Sequence, residues 1–255
     1  MTNNKTKIAL VTGSSRGLGK NSALSLAKKG VDAIVTYHSN HEEANNVVSA
    51  IAESGAKAVA LQLDTSNTKT FDGFVEQIKH SLQDKWQTEH FDFLVNNAGI
   101  GVYASFAETT EDDFDRLMNT HVKGVFFLTQ KRLPLINDGG RIVNISSGLA
   151  HFALPGYAAY ATMKGAMEVL TRYMAKELGS RQIAVNVVAP GAIETDFGGG
   201  AVRDNPEINS FMASQTALGR VGLPDDIGRA IASLLSEENR WVNGQRIEVS
   251  GGMFL

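Results

Sequence analysis

Apolar residues fall in short runs along the chain: "KIALV" (Lys7–Val11), "DAIVTY" (Asp32–Tyr37), "AKAVALQL" (Ala56–Leu63), "FDFLVN" (Phe91–Asn96), "RIVNI" (Arg141–Ile145), "IAVNVVA" (Ile183–Ala189) and "QRIEV" (Gln245–Val249). Several are almost continuously apolar and β-branched, as strands are when both faces of their sheet are covered. Between them the spacing predicts helices over Gly17–Lys29, Glu42–Ser54, Thr70–Leu82, Asp112–Leu135, Tyr157–Leu178 and Pro224–Leu235. Pro224 with Asp225 and Asp226 behind it marks a helix start, a preset φ followed by acids at the positive dipole end. Strict alternation of strand and helix implies an α/β fold with a parallel sheet and helices on both faces. One long stretch lacks either period, Gly191 to about Ala217, with "GGG" at 198–200. It is expected to be an irregular lid or binding loop.

The chain of 255 residues fits a single α/β domain, and its 43% apolar and 20% charged fractions are ordinary for a globular protein. A net charge of −3 offers no field for nucleic acid or an anionic membrane. The absence of cysteine excludes disulfides, thiolate zinc sites and cysteine nucleophiles, and is compatible with a reducing compartment. The opening "MTNNKTKIALVTG" is too weakly apolar for a signal peptide, and no run approaches a membrane span. A cytoplasmic protein acting on a small molecule is expected. His38, His41, His80, His90 and His151 form no ligand pattern, so no metal is expected.

Directly after the first strand comes "TGSSRGLGK", with glycines at 13, 17 and 19. Gly13 suits a tight turn, Gly17 lets backbone approach a pyrophosphate, and Gly19 allows close helix–strand packing. The helix that opens here points free N–H groups at that phosphate. At the end of the second strand, where NAD sites carry an acid for the ribose 2′-OH, stand Tyr37, His38, Ser39 and Asn40. Those groups, with Arg16, suit a 2′-phosphate, so NADP(H) is expected over NAD(H).

"NNAG" (Asn96–Gly99), "NISS" (Asn144–Ser147), "YATMK" (Tyr160–Lys164), "APGAIET" (Ala189–Thr195) and "EVSGG" (Glu248–Gly252) follow in that order. With the glycine turn they resemble the short-chain dehydrogenase/reductase family over essentially the whole chain, in a 3-oxoacyl-(acyl-carrier-protein) reductase-like version. The resemblance implies one doubly wound Rossmann-type domain with seven parallel strands. Its cofactor half runs to about residue 140, its catalytic half follows, and a lid spans about 192–216. It also implies a homotetramer built on the helices of Asp112–Leu135 and Tyr157–Leu178. Cofactor-binding positions carried over are Gly13, Ser15, Arg16, Gly17, Leu18, Gly19, Tyr37, His38, Ser39, Asp64, Thr65, Asn97, Ala98, Gly99, Tyr160, Lys164, Pro190, Gly191, Ile193 and Thr195. Asp64 would meet the adenine and Thr195 the nicotinamide carboxamide; an ordinary capping role for Asp64 stays open.

Reduction of a carbonyl places negative charge on oxygen and needs a proton donor in reach. Tyr160 and Lys164 are four apart on one helix and share a face. A neighbouring ammonium would favour the phenolate of a group whose free pKa is about 10. By resemblance Tyr160 is the acid/base, Lys164 its tuner and ribose ligand, and Ser147 the oxygen anchor. Tyr157 and Ser146 are neighbouring rivals; Ser146 should point to the opposite side of its strand. The family's fourth catalytic position is an asparagine, and aligning "VKGVFF" puts His121 there. Three roles are open for His121: a structural stand-in, a side chain in the proton relay, or the mark of impaired catalysis. The leading function is an NADP(H)-dependent oxidoreductase acting on a carbonyl or alcohol. Alternatives are alcohol oxidation in the reverse direction and a dinucleotide-binding sensor.

Overall fold

The computed structural model describes residues 6–255; the N-terminal part of "MTNNKTKIALVTG" lies outside them. The chain runs β1 (Ile8–Val11), α1 (Gly17–Ala27), β2 (Asp32–Tyr37), α2 (His41–Glu53), β3 (Ala58–Gln62), α3 (Phe71–Trp86) and β4 (Phe91–Asn96). Then come α4 (Glu111–Met118), a π-helical turn (Asn119–Lys123), α5 (Gly124–Arg132), β5 (Ile136–Ile145), α6 (Ala158–Glu177) and β6 (Ala184–Pro190). Two short helices, α7 (Ala201–Asp204) and α8 (Pro206–Ser214), precede α9 (Pro224–Leu234) and β7 (Arg246–Val249).

The strands form one seven-stranded sheet in the order β3-β2-β1-β4-β5-β6-β7, and every neighbouring pair is parallel. Alternation along each strand divides the core. Val11, Val35, Val95 and Val188 face one side with α1 and α9. Leu10, Ile34, Leu94, Ile142 and Val185 face the other with α3 and α5. Each such side chain contributes about 1.5–3 kcal/mol by leaving water. After β3 the chain returns to the other flank of β1, so the loops after β1 and β4 diverge and leave a crevice at the strands' C-terminal ends.

Two expectations need correction. The helix predicted over Asp112–Leu135 is interrupted by the π-helical turn and ends in a 3₁₀ turn at Leu133–Leu135. A single inserted residue leaves the apolar spacing on either side intact, so periodicity does not reveal it. The stretch expected to be irregular, Gly191 to about Ala217, instead carries the helices α7 and α8. Asn205 caps α8 by accepting from Glu207 N–H and Ile208 N–H, with Pro206 in its first turn. Those local signals were in the sequence but lay inside a stretch without an apolar stripe.

Candidate active site

The β1 and β4 ends are stitched together before any ligand is considered. Thr12 Oγ1 accepts from Asn97 N–H (2.9 Å) and Ala98 N–H (3.0 Å). Asn97 Nδ2 donates back to the carbonyls of Thr12 (2.8 Å) and Gly13 (3.1 Å). Gly13 has φ +63°, and a Cβ there would stand 2.9 Å from Ala98 Cα. A Cβ on Gly19 would strike the Gly13 carbonyl oxygen, so the third glycine serves helix–strand packing as expected. The first turn of α1 has neither a side-chain cap nor an acid, leaving its N–H groups facing the crevice. This cradle fits the pyrophosphate of a dinucleotide.

A cavity of about 790 Å³ opens from the glycine turn. Of the residues assigned to the cofactor, Gly13, Ser15, Arg16, Gly17, Leu18, His38, Ser39, Asp64 and Thr65 line it, together with Asn97, Ala98, Gly99, Pro190, Gly191, Ile193 and Thr195. Gly19 lies beneath the turn and does not reach it. Tyr37 is also absent from the lining: its ring packs against His41 at 5.3 Å, because the residue turns toward α2. Asn40, which also caps α2, lines the wall in its place. Asp64 lines the cavity and accepts from Ser66 N–H (2.9 Å) in a turn; it caps no helix, since the following 3₁₀ turn, Thr68–Thr70, is capped by Asn67.

The other end of the cavity holds Ser147, Tyr160, Lys164 and His121. Ser147 closes β5 in an extended conformation and its Oγ accepts from Leu149 N–H (3.2 Å). Tyr160 sits in the first turn of α6 and faces the same end of the cavity as Ser147. Lys164, one turn on, is buried and donates to the Ile145 carbonyl (2.9 Å). Burial lowers its pKa from 10.5 to about 7. Burial also raises the Tyr160 pKa, against the lowering effect of the Ser147 hydroxyl, with Tyr157 adding to the rise. The expected depression of the phenol by its lysine is therefore not seen here. Lys164 Nζ lies 5.5 Å from the Tyr160 ring centre, and desolvation of the buried phenol dominates. Of the rivals, Tyr157 precedes α6 and packs edge-on against Tyr103 at 5.3 Å. Ser146 turns away from the cavity's centre, toward α6.

His121 lies in the π-helical turn, 2% exposed. Its Nε2 is 2.7 Å from the Ile100 carbonyl oxygen and 3.2 Å from Ile100 N–H, so the ring grips the loop after β4. The imidazole stands edge-on to Tyr160, ring centres 5.5 Å apart. Burial first, and then the Lys164 charge, lower its pKa to about 3 against the raising effect of the Ile100 bond. A Cβ on Gly99 would lie 2.5 Å from His121 Cε1, so this glycine makes room for the ring.

The family model described as Enoyl-(Acyl carrier protein) reductase matches residues 13–254. The chain is 38% identical over 258 residues to a hydroxynaphthalene reductase-like protein, Arp2 of Metarhizium brunneum, covering 96% of this chain and 94% of that one. It is a short-chain dehydrogenase/reductase. The solved structure of the promiscuous reductase LugOII, which catalyses keto-reduction at C1 during lugdunomycin biosynthesis, superposes with a TM-score of 0.93 at 37% identity, covering 99% of this chain and 100% of that one. The angucycline C-6 ketoreductase LanV with bound NADP gives 0.93 at 36% identity, covering 98% and 97%.

Sequence reasoning missed several residues of this short-chain dehydrogenase/reductase's site. Phe197 packs at a tilt against the Tyr160 ring, centres 5.5 Å apart, and no local motif marks it. Glu168 of α6 accepts from Ser146 Oγ and from Arg246 Nε, and Arg246 of β7 also reaches the Ser147 carbonyl. Only Glu168, one turn past Lys164 on the same helix face, carried a positional signal.

Proposed function

We propose that the chain is an NADP(H)-dependent ketone reductase whose substrate is a fused-ring aromatic ketone. Hydride transfer to a carbonyl is the chemistry of the reductases it resembles, and LanV carries NADP. The observation that carries the reading is the meeting of Ser147 and Tyr160 in one end of a cavity whose other end is a phosphate cradle. Two hydroxyls at one point suit an oxygen that gains negative charge. A bound nicotinamide supplies the hydride. Ser147 Oγ holds the ketone oxygen, and Tyr160 gives it the proton from its hydroxyl. That transfer leaves Tyr160 as a phenolate, and Lys164, with a pKa near neutrality, is placed to return a proton to it and to hold the ribose.

Arg16, His38, Ser39 and Asn40 border the region of the 2′-phosphate and support NADP(H) over NAD(H). Phe152, Leu154, Tyr157, Phe197 and Met212 make the substrate end aromatic and apolar. A 3-oxoacyl-(acyl-carrier-protein)-type substrate is the runner-up. His121 acts as a positioning residue: its neutral ring, bonded to Ile100 and set against Tyr160, supports the stand-in role over a proton relay. Exposed Phe126 and Phe127 on α5 and Val169 and Tyr173 on α6 support a homotetramer. A cytoplasmic location belongs to the same reading.

The test is a panel of aromatic and 3-oxoacyl ketones with NADPH and NADH, using wild type and Tyr160→Phe. Turnover of an aromatic ketone with NADPH, lost by about 10²–10⁴-fold in the variant while NADPH still binds, is expected. NADPH binding with no ketone turned over would overturn the reductase reading.

A further inference from the structure

Ser147 can anchor an oxygen only if its side chain is turned into the cavity, and its neighbour decides that. On an extended strand end, successive side chains point to opposite faces. Ser146 is 2% exposed, and its Oγ lies 2.8 Å from Glu168 Oε1 and 3.1 Å from the Lys164 carbonyl oxygen. The same Glu168 Oε1 accepts from Arg246 Nε at 2.7 Å. Arg246 Nη1 donates to Glu248, and Nη2 stands 3.5 Å from the Ser147 carbonyl, the outer limit of a hydrogen bond. One guanidinium from β7 thus joins the C-terminal end of β5 to the turn of α6 just past Lys164. The Arg246 and Glu168 side chains are only 24% and 16% exposed, which strengthens their attraction and fixes their geometry.

We propose that Arg246, through Glu168 and Ser146, is a positioning residue that aims Ser147 at Tyr160. With Ser146 tied inward, Ser147 must face outward into the cavity, and the Arg246 contact holds the plane of its carbonyl. Arg246 itself does not line the cavity and touches no reacting atom. The inference rests on the ketone-reductase reading for its catalytic consequence, but not for its geometry.

The experiment uses the full chain with NADPH and 1-tetralone as the probe ketone, in wild type, Arg246→Met, Arg246→Lys and Glu168→Gln. Arg229→Met is the control, since Arg229 pairs with Asp225 on the surface of α9, away from the cavity. Misplacing a reacting group by about 1 Å can cost on the order of 10²-fold, so a partial misaiming in Arg246→Met should lower kcat by about tenfold or more. The KM for NADPH should stay within about twofold, because the phosphate cradle is separate from this corner. Arg246→Lys should recover part of the loss by restoring a charge opposite Glu168. Glu168→Gln keeps an acceptor for Ser146 and should lose less than Arg246→Met. Amide hydrogen exchange over residues 145–150 should quicken in Arg246→Met and not in Arg229→Met. Unchanged kcat and unchanged exchange in Arg246→Met would overturn the proposal, even if thermal stability fell. If wild type binds NADPH but reduces no ketone in the panel, the functional reading fails, and hydrogen exchange alone still decides whether Arg246 fixes Ser147.

Discussion

The two ends of the cavity solve different problems with different parts of the chain. At the glycine turn the work is done by backbone: a left-handed Gly13, close approach at Gly19 and the uncapped first turn of α1. At the Ser147–Tyr160 corner it is done by buried side chains, with Lys164 and His121 driven well below their ordinary pKa values by desolvation. A phosphate needs fixed donors, and backbone supplies those without side-chain entropy. Proton transfer needs groups whose affinity for a proton is tuned by burial. The first end should therefore fail through steric intrusion, and the second through loss or titration of a single group.

Tyr160→Phe carries the largest expected effect, a turnover loss with binding intact. An equal loss of NADPH binding would erase the distinction between the two ends. Gly19→Ala comes next. Its Cβ meets the Gly13 carbonyl oxygen and, at 2.5 Å, Asn97 Nδ2, and neither can yield easily. A loss of up to about 3 kcal/mol in unfolding free energy is expected, with NADPH affinity weakened about tenfold or more. Urea melts and fluorescence titration would check both.

Gly99→Ala tests the seam between the two ends. The new methyl would press on the His121 ring, and roughly 2 kcal/mol of stability should be lost. Adding His121→Asn should restore most of it, a coupling a double-mutant cycle would measure. If the two losses simply add, the ring is not what Gly99 makes room for.

An effect of similar size is a pH dependence. The folded pKa of His121, about 3, lies below its unfolded value of 6.5, so the unfolded chain takes up the proton first. This residue's contribution is intact above about pH 6.5 and is lost as pH falls toward 3. Between pH 8 and pH 5, wild type should lose about 2 kcal/mol more stability than His121→Asn. Equal losses would mean that the ring is not held neutral.

The same contrast explains what was legible in the sequence. Backbone chemistry leaves a rigid signature, because only glycine satisfies Gly13 and Gly19; the turn, its strand and its helix are plain in "TGSSRGLGK". Tyr160 and Lys164 are legible because one helix turn fixes their spacing. Tyr37 was misplaced because the strand-end position was plain but not the direction of its ring, which α2 sets through His41. Phe197, Glu168 and Arg246 come from separate elements and meet only after the sheet is assembled. No local spacing encodes such a meeting. The π-helical turn was hidden for another reason: buried Leu117 and buried Leu128 on either side keep an acceptable apolar pattern with the extra residue present.

That turn also fixes how the segment tolerates changes in length. An α-helix advances about 100° per residue and the π-helical turn holds one residue more than an α-helical turn, so straightening 119–123 at its full length would swing everything downstream by about that angle. Gly124, whose missing Cβ leaves room for the Thr65 carbonyl, would no longer face it, and the fully buried Arg132 would turn with it. A single deletion in "NTHVK" that straightens the helix keeps α5 in register, whereas straightening at full length re-indexes α5 as a whole.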